Sequence, residues 1–167
     1  DQSTIGGRRL SGQKGSMLEG GGLVPMIVNW PGTAPAGKVN TDLIDSTDFV
    51  PTFAELARAE LPKGQTVDGR SFLPQVRGEQ GKLRDWIFVE LGNQWYVREQ
   101  MWKLNRSGQL FDMSNAPFEE KLVAKNTKDP AAIAARKRLQ AALDQLNPAG
   151  GILDDSDGSG RHANKAK

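Results

Sequence analysis

The spacing of apolar residues changes along the chain, and each change predicts a different element. Residues 23–30 are mostly apolar and partly β-branched, which predicts a short strand buried on both faces. Between residues 47 and 59 the apolar positions recur at helical spacing, which predicts a helix with one apolar face. That face consists of Phe49, Val50, Phe53, Leu56 and Ala57. The helix start is marked by three N-cap residue types and a proline suited to the first turn, namely Ser46, Thr47, Asp48 and Pro51.

From Trp86 onward the apolar positions alternate, which predicts a small antiparallel sheet. The alternating segments are 86–91, 94–98, 101–104 and 109–113, and Gly92-Asn93 reads as a hairpin turn between the first two. A long helix follows, with Asp129 as its cap and Pro130 in its first position. Its predicted buried face consists of Ile133, Leu139, Leu143 and Leu146. Polar segments flank these elements: residues 1–22 are expected to be loop, and residues 151–167 disordered.

The composition of the chain excludes several classes of binding partner and of cysteine chemistry. The 22 Lys and Arg residues against 20 Asp and Glu leave a net charge of +2, too small a field to attract nucleic acid or an anionic membrane. No apolar run approaches the roughly 20 residues that a membrane span requires. No cysteine is present to form a disulfide, ligate a metal or act as a nucleophile. We therefore expect no nucleic-acid partner, no membrane partner and no thiolate metal site within this chain.

Lys14 lies in a glycine-rich stretch that leads into residues 23–30. Five glycines fall between residues 12 and 22, a density that indicates sharp turns or close backbone approach. The stretch resembles a phosphate-binding loop, but Gln13 and Gly15 interrupt the Gly-Lys-Ser succession which that motif requires. A lone ammonium on such a loop is a good point-charge partner for an oxyanion. The plainer interpretation is a solvated surface lysine.

Other candidate groups favour structural interpretations. A platform for stacking sugars or single-stranded nucleic acid could be formed by Trp86, Trp95 and Trp102. Aromatic residues at alternating strand positions are nevertheless more often core. His162 lies in the polar tail without a packed partner, as do the closely spaced acids Asp154, Asp155 and Asp157, which lack calcium-loop spacing. Asp48 precedes a helix, so capping explains it better than ligand binding.

Several short motifs follow one another between residues 12 and about 147. The most specific is Lys14-Gly15-x-x-x-Glu19-Gly20-Gly21, followed by Val24-Pro25 and Trp30-Pro31-Gly32. The others are Asp48-Phe-Val-Pro51-Thr52, Asp68-Gly69-Arg70-Ser71, Trp102-Lys103-Leu104 and Leu110-Phe111-Asp112-Met113. In this order they resemble the C-terminal portion of the sulfatase family, within the alkaline-phosphatase-like superfamily. Leu23 departs from the resemblance, because many members have Arg or His there.

The resemblance implies a sulfuric ester hydrolase. In such enzymes a formylglycine, made from Cys or Ser in a Cys/Ser-x-Pro-x-Arg motif, attacks sulfur. A divalent cation, usually calcium, polarises the sulfate oxygens. Lys14 matches the family's sulfate-contacting lysine, and Glu19 and the glycines would shape its loop. This sequence lacks the nucleophile motif and the paired metal aspartates, so the resemblance places both cofactors outside this chain and implies an inactive C-terminal fragment.

The expected fold is α/β: a C-terminal fragment of an alkaline-phosphatase-like fold, with a small antiparallel sheet packed by one long helix. Residues 1–80 would form the C-terminal edge of the catalytic domain, with the lysine loop, a strand and a helix. Residues 81–150 would form the sheet subdomain, and 151–167 a disordered tail. Expected partners are a sulfated small molecule or glycan and the N-terminal remainder of the enzyme. The resemblance also implies a periplasmic, secreted or lysosomal location.

Two alternative functions stay open at this point. One is a non-catalytic glycan-binding module that uses the sheet carrying Trp86, Trp95 and Trp102. The other is a phosphate-ester or phosphonate-ester hydrolase of the same superfamily.

Overall fold

A computed structural model describes residues 3–82 and 84–148 of the chain. In chain order the elements are β1 (Thr4–Ile5), β2 (Arg8–Arg9), α1 (Glu19–Gly22), a 3-10 turn (Ser46–Asp48), α2 (Phe49–Ala57), α3 (Leu73–Val76), β3 (Ile87–Leu91), β4 (Gln94–Arg98), β5 (Trp102–Asn105), β6 (Leu110–Asp112), β7 (Lys121–Leu122) and α4 (Pro130–Leu146). Over these residues, no helix combines the length and the apolar character needed to cross a membrane.

The chain forms two compact units. One joins the residues up to Val24 with those from Phe88 onward, and the other is Pro25–Ile87. The first contains the lysine loop, nearly all of the sheet and α4, and the second contains α2 and α3. The boundaries expected at residues 80 and 150 stay predictions.

The sheet has the strand order β3-β4-β5-β6-β7, so each strand pairs with its neighbour in sequence. The Gly92-Asn93 turn joins β3 to β4, as predicted. The fifth strand, β7, was not predicted, because two residues are too few to show an alternating pattern. The expected mixed α/β architecture, with a small antiparallel sheet packed by one long helix, is confirmed.

The register of the strands gives the sheet two chemically different faces. On one face Val97, Leu104 and Leu110 are cross-strand neighbours with no exposed surface, and α4 packs against these strands. On the other face Arg98 and Phe111 lie directly opposite Lys103. Because side chains alternate along a strand, the sequence Trp-Lys-Leu puts an ammonium on one face and leucine in the core on the other.

Helix α4 buries a narrower stripe than its large apolar residues predict. The cap is as expected: the Asp129 side chain accepts a hydrogen bond from the Ala131 N–H at 2.9 Å. The buried residues are Ala132, Ala135, Leu139, Ala142 and Leu143. The prediction for Ile133 and Leu146 was wrong, since they are 52% and 38% exposed. Ile133 lies one position away from the alanine stripe, whose small side chains suit close packing, and Leu146 lies in the last turn.

The strand predicted over residues 23–30 is also wrong. The segment has no strand, and its apolar side chains are exposed, with Val24 at 77% and Ile27 at 91%. A strand buried on both faces needs a neighbouring strand to pair with, and within the described residues no strand pairs with this segment. Residues 23–30 therefore have the composition of a buried strand, but no strand among the described residues pairs with them.

Helix α2 runs from Phe49 to Ala57, within the predicted span 47–59, but the Asp48 side chain does not cap it. The capping residue is Asp45, whose side chain accepts a hydrogen bond from the Thr47 N–H at 2.8 Å. Asp48 instead accepts a hydrogen bond from the Asp45 N–H and forms an ion pair with the Arg84 guanidinium. None of the three predicted cap residues supplies the side-chain cap, and Asp48 instead binds Arg84, a partner 36 positions away.

The apolar face of α2 is only partly covered. Phe49, Val50, Phe53 and Leu56 are 37%, 55%, 58% and 45% exposed. The fully buried positions are Pro51 and Thr52 instead.

Candidate functional site

Lys14 is exposed in the loop that joins β2 to α1. The loop turns around it: the Ser16 N–H donates to the Gln13 carbonyl at 2.9 Å, and the Ser16 hydroxyl accepts from the Gln13 N–H at 3.1 Å. Lys14 therefore projects from the middle of a hydrogen-bonded turn.

Two glycines show why the loop needs this composition. Gly12 has a φ of +86°, and a Cβ there would lie 2.6 Å from the Leu18 Cβ. A Cβ on Gly21 would collide with the Ser16 carbonyl oxygen. Only glycine avoids both the strained backbone and these collisions. The close backbone approach inferred from the sequence is therefore, at these two glycines, between parts of the loop and not between the loop and another element.

Backbone hydrogen bonds tie the loop to the rest of its unit. The Gly20 N–H donates to the Ser11 carbonyl at 2.7 Å, which brings the two ends of the loop together. The Ser11 N–H donates in turn to the Pro117 carbonyl at 2.9 Å. The loop is therefore closed on itself and attached to the segment between β6 and β7.

Four charged side chains that are 2–14% exposed, which we call the loop clamp, attach α1 and the residues before it: Glu19, Arg98, Lys103 and Glu120. The Lys103 ammonium donates to the Met17 carbonyl at 3.0 Å and forms an ion pair with Glu120 Oε2. Glu120 Oε1 accepts from the Glu19 N–H at 2.8 Å. Arg98 Nε lies 3.1 Å from Glu19 Oε1, an ion-pair contact rather than an aligned hydrogen bond. With two acids and two bases, the clamp carries no net charge.

The clamp lies almost out of contact with water. The side chains of Lys103 and Glu120 are 3% and 2% exposed. The Lys103 ammonium also lies 4.7 Å from the centre of the Tyr96 ring and 5.5 Å from that of Phe111, within range of a cation–π attraction. A lysine this deeply buried needs charged and polar partners, because an unpaired ammonium would be very costly to remove from water.

Burial shifts two clamp pKa values against the charged forms. Loss of water lowers the pKa of Lys103 below 10.5, opposed by its hydrogen bond to Glu120 and by the charges of Glu120 and Glu19. Loss of water raises the pKa of Glu19 above 4.5, opposed by the charges of Arg98 and Lys103. In both cases desolvation outweighs the partners.

The other predicted candidates fall elsewhere. Trp95 is 7% exposed, and the Arg106 guanidinium lies 4.6 Å from its ring centre, so for Trp95 the interpretation as core is confirmed. His162 and the acids Asp154, Asp155 and Asp157 lie outside the described residues.

A divalent cation does not fit the donor groups found between residues 3 and 148. Among the residues that the structure describes, no three His, Asp or Glu side chains are placed to hold a metal ion. The clamp carboxylates of Glu19 and Glu120 already face cationic partners. A formylglycine has no precursor either, since the sequence has no cysteine and no Ser-x-Pro-x-Arg motif.

Residues 12–148 match the family model described as N-sulphoglucosamine sulphohydrolase, C-terminal. The match covers most of the chain and begins two residues before Lys14. The chain belongs to this sulfatase family. The resemblance inferred from the motifs is thereby confirmed, and the lysine loop, the sheet and α4 all lie within the sulfatase match.

Individual sulfatases show the same similarity. Mouse steryl-sulfatase is 27% identical over a region that covers 82% of this chain and 30% of that protein. Human arylsulfatase D is 31% identical over 56% of this chain and 16% of that protein. A sulfatase from Formosa agariphila is 42% identical over 44% of this chain and 14% of that protein. The chain therefore spans less than a third of the length of the curated relatives it matches.

Sequence reasoning found Lys14 and Glu19 but missed the rest of the clamp. Lys103 occurred within the Trp-Lys-Leu motif, and Glu120 and Arg98 drew no attention. One signal was available. Lys103 lies between two large apolar residues on a short strand, and because side chains alternate along a strand, its ammonium is expected on the face opposite the core. The partners themselves are 86 and 101 positions from the loop and could not be paired from the sequence.

Proposed function

We propose that this chain is the C-terminal part of a sulfatase in which the Lys14 ammonium contacts the sulfate group of the substrate. The observation that carries the proposal is an exposed lysine on a fixed loop, at the start of the region that matches the sulfatase family. The ligand would be the sulfate ester of a small molecule or of a glycan.

The physical role of Lys14 is to offset negative charge. During cleavage of a sulfate ester, charge shifts among the sulfate oxygens and the departing oxygen. A cation already in position stabilises that distribution without reorganising at the moment of reaction. The hydrogen-bonded turn around Lys14 keeps its backbone in one place, which supports such a preorganised contact.

The remaining chemistry belongs to residues beyond this chain. A formylglycine would supply the nucleophile, and a divalent cation such as calcium would polarise the sulfate, but neither group has a fitting site among the described residues. One binding lysine cannot replace a nucleophile. We therefore expect the 167 residues alone to be inactive.

The test is a Lys14→Ala substitution in the complete sulfatase, assayed on an aryl sulfate. We expect turnover to fall by at least about tenfold, because a charge-stabilising contact is lost. The control is Lys125→Ala, which removes another exposed loop lysine from the same unit and should leave turnover unchanged. Unchanged turnover in Lys14→Ala would remove Lys14 from the mechanism.

The same assay addresses a hydrolase of another ester. The matching aryl phosphate is tested alongside the aryl sulfate, since an ammonium attracts both anions. Faster cleavage of the phosphate would assign the complete protein to the phosphate-ester hydrolases of the superfamily, and faster cleavage of the sulfate supports the proposal.

A further inference from the structure

The loop clamp contains more charge than stability requires. Replacing a buried ion pair with apolar side chains of similar size is often neutral or stabilising, because charges are costly to remove from water. Here an ammonium and a carboxylate, Lys103 and Glu120, lie together at 3% and 2% side-chain exposure. An apolar pair could fill this space, but it could not bond to the loop backbone.

The clamp makes directional contacts to the loop that carries Lys14. Lys103 holds the Met17 carbonyl, three residues after Lys14, and Glu120 holds the Glu19 N–H. These contacts fix two neighbouring points of one backbone by hydrogen bonds, whose geometry is far stricter than that of apolar packing. The two points determine both the position and the direction of the chain between Lys14 and α1.

The clamp is unsuited to binding the substrate itself. Its net charge is zero, and the Lys103 ammonium is engaged by Met17, Glu120 and the Tyr96 ring. A sulfate would find the Lys103 ammonium already bonded and almost inaccessible. The attraction for an anion is left to Lys14, which is exposed, whereas Lys103 is buried.

We infer that Lys103 and Glu120 are positioning residues, which hold the Lys14 loop in the geometry needed to contact the sulfate. This inference rests on the proposed function for its catalytic consequence, but the ordering of the loop does not depend on it. The buried ion pair is retained for the placement of a backbone and not for stability.

The first test compares Lys103→Met with Arg138→Met in the complete protein. Methionine keeps much of the length of Lys103 but removes both contacts. Amide hydrogen exchange over residues 12–22 should then rise by about tenfold or more, since the Met17 carbonyl loses its part-buried bond to Lys103. Exchange in α4 should stay unchanged, and turnover should fall with little change in KM. Arg138→Met removes the more exposed Arg138–Glu99 ion pair of the same unit and should change none of these quantities.

A second variant separates positioning from stability. Lys103→Met leaves the Glu120 carboxylate buried without its cation, so raised exchange in α4 would mean that this variant has lost stability throughout the unit. The double variant Lys103→Met/Glu120→Leu removes that charge and makes the pair apolar, so exchange in α4 should equal the wild-type rate. Exchange over residues 12–22 should remain raised by about tenfold, because the Met17 contact is still missing and the Glu19 contact is now lost as well. Loop exchange at the wild-type rate in the double variant would overturn the inference.

The two proposals can fail separately. If Lys14→Ala keeps full turnover while Lys103→Met raises exchange in the loop, the positioning role of the clamp is supported and the sulfate contact of Lys14 is refuted. If Lys14→Ala loses turnover while Lys103→Met leaves loop exchange and turnover unchanged, the sulfate contact of Lys14 is supported and the positioning role of the clamp is refuted.

Discussion

Each unit buries a carboxylate, and the pKa values of the two shift in opposite directions. In the first unit Glu19 is 4% exposed, and in the second Asp48 is 2% exposed. Burial alone would raise the pKa of Asp48, but hydrogen bonds from Arg84 and from the Arg70 and Asp45 N–H groups lower it below 3.8. Glu19 depends on an ion-pair contact with Arg98 and on more distant charges, and burial raises its pKa above 4.5.

The difference lies in the donors aimed at each carboxylate. Both oxygens of Asp48 accept from the Arg84 guanidinium, one also from the Arg70 N–H at 2.6 Å and the other from the Asp45 N–H at 2.8 Å. Desolvation is the largest single cause at both carboxylates, but at Asp48 the hydrogen bonds and the Arg84 charge together exceed it, whereas at Glu19 the neighbouring charges do not. The ionised form is therefore favoured in the folded state at Asp48 and disfavoured at Glu19.

The largest expected effect on stability comes from breaking the ion pair between Asp48 and Arg84. In Arg84→Met the Asp48 carboxylate stays buried without its cation, so the free energy of opening α2 should fall by about 3–5 kcal/mol. Amide hydrogen exchange in α2 measures this in the complete protein. The matched control is Lys63→Met, which breaks the Lys63–Glu60 ion pair of the same unit, both of whose side chains are more than 80% exposed. Equal exchange in the two variants would contradict the stabilising role.

Direct titration of the two carboxylates sharpens the comparison. Carbon-13 carboxyl shifts should show Asp48 titrating below 3.8 and Glu19 above 4.5. The two stabilities then depend on pH with opposite signs. The contribution of Asp48 is present above pH 3.8 and is lost as the pH falls through its folded pKa. That of Glu19 is present below pH 4.5 and is lost as the pH rises through its folded pKa. Shifts of the same sign would remove the contrast between the units.

The smallest expected effect concerns a carboxylate outside the buried groups. Asp129 is exposed and accepts one hydrogen bond from the Ala131 N–H at the start of α4. Asp129→Ala should lower the free energy of opening the first turn of α4 by about 1 kcal/mol, the usual worth of an N-cap. The control Asp129→Asn keeps an oxygen acceptor and should preserve most of that stability. If Asp129→Ala lowered the free energy of opening α4 as much as Arg84→Met lowers that of α2, the burial of Asp48 would make no difference to its contribution to stability.

The elements that could be predicted are those whose signals are local. The Gly92-Asn93 turn and the Asp129-Pro130 helix start each depend on a few adjacent residues, and both are present as predicted. The lysine loop could be located because its glycines crowd within one short segment. In these places backbone geometry and residue type determine the outcome without help from the rest of the chain.

The features that escaped prediction depend on distant partners. Apolar residues at 23–30 indicate that burial is favoured, but not where a covering surface comes from. Asp48 looked like a cap until Arg84 was placed beside it, and Lys103 looked like one polar strand residue until Met17 and Glu120 were brought to it. Pairings over such separations are set by the fold, which local patterns do not encode.

The separation between the loop and its anchors also orders events during synthesis. Glu120 emerges from the ribosome 101 residues after Glu19, and Lys103 emerges 86 residues after Met17. Contacts between residues so far apart in the chain form late, because a long loop must close before they can be made. The lysine loop therefore cannot gain its anchors until nearly the whole sheet has been translated. A chain truncated before residue 103 would carry Lys14 on a loop with neither anchor.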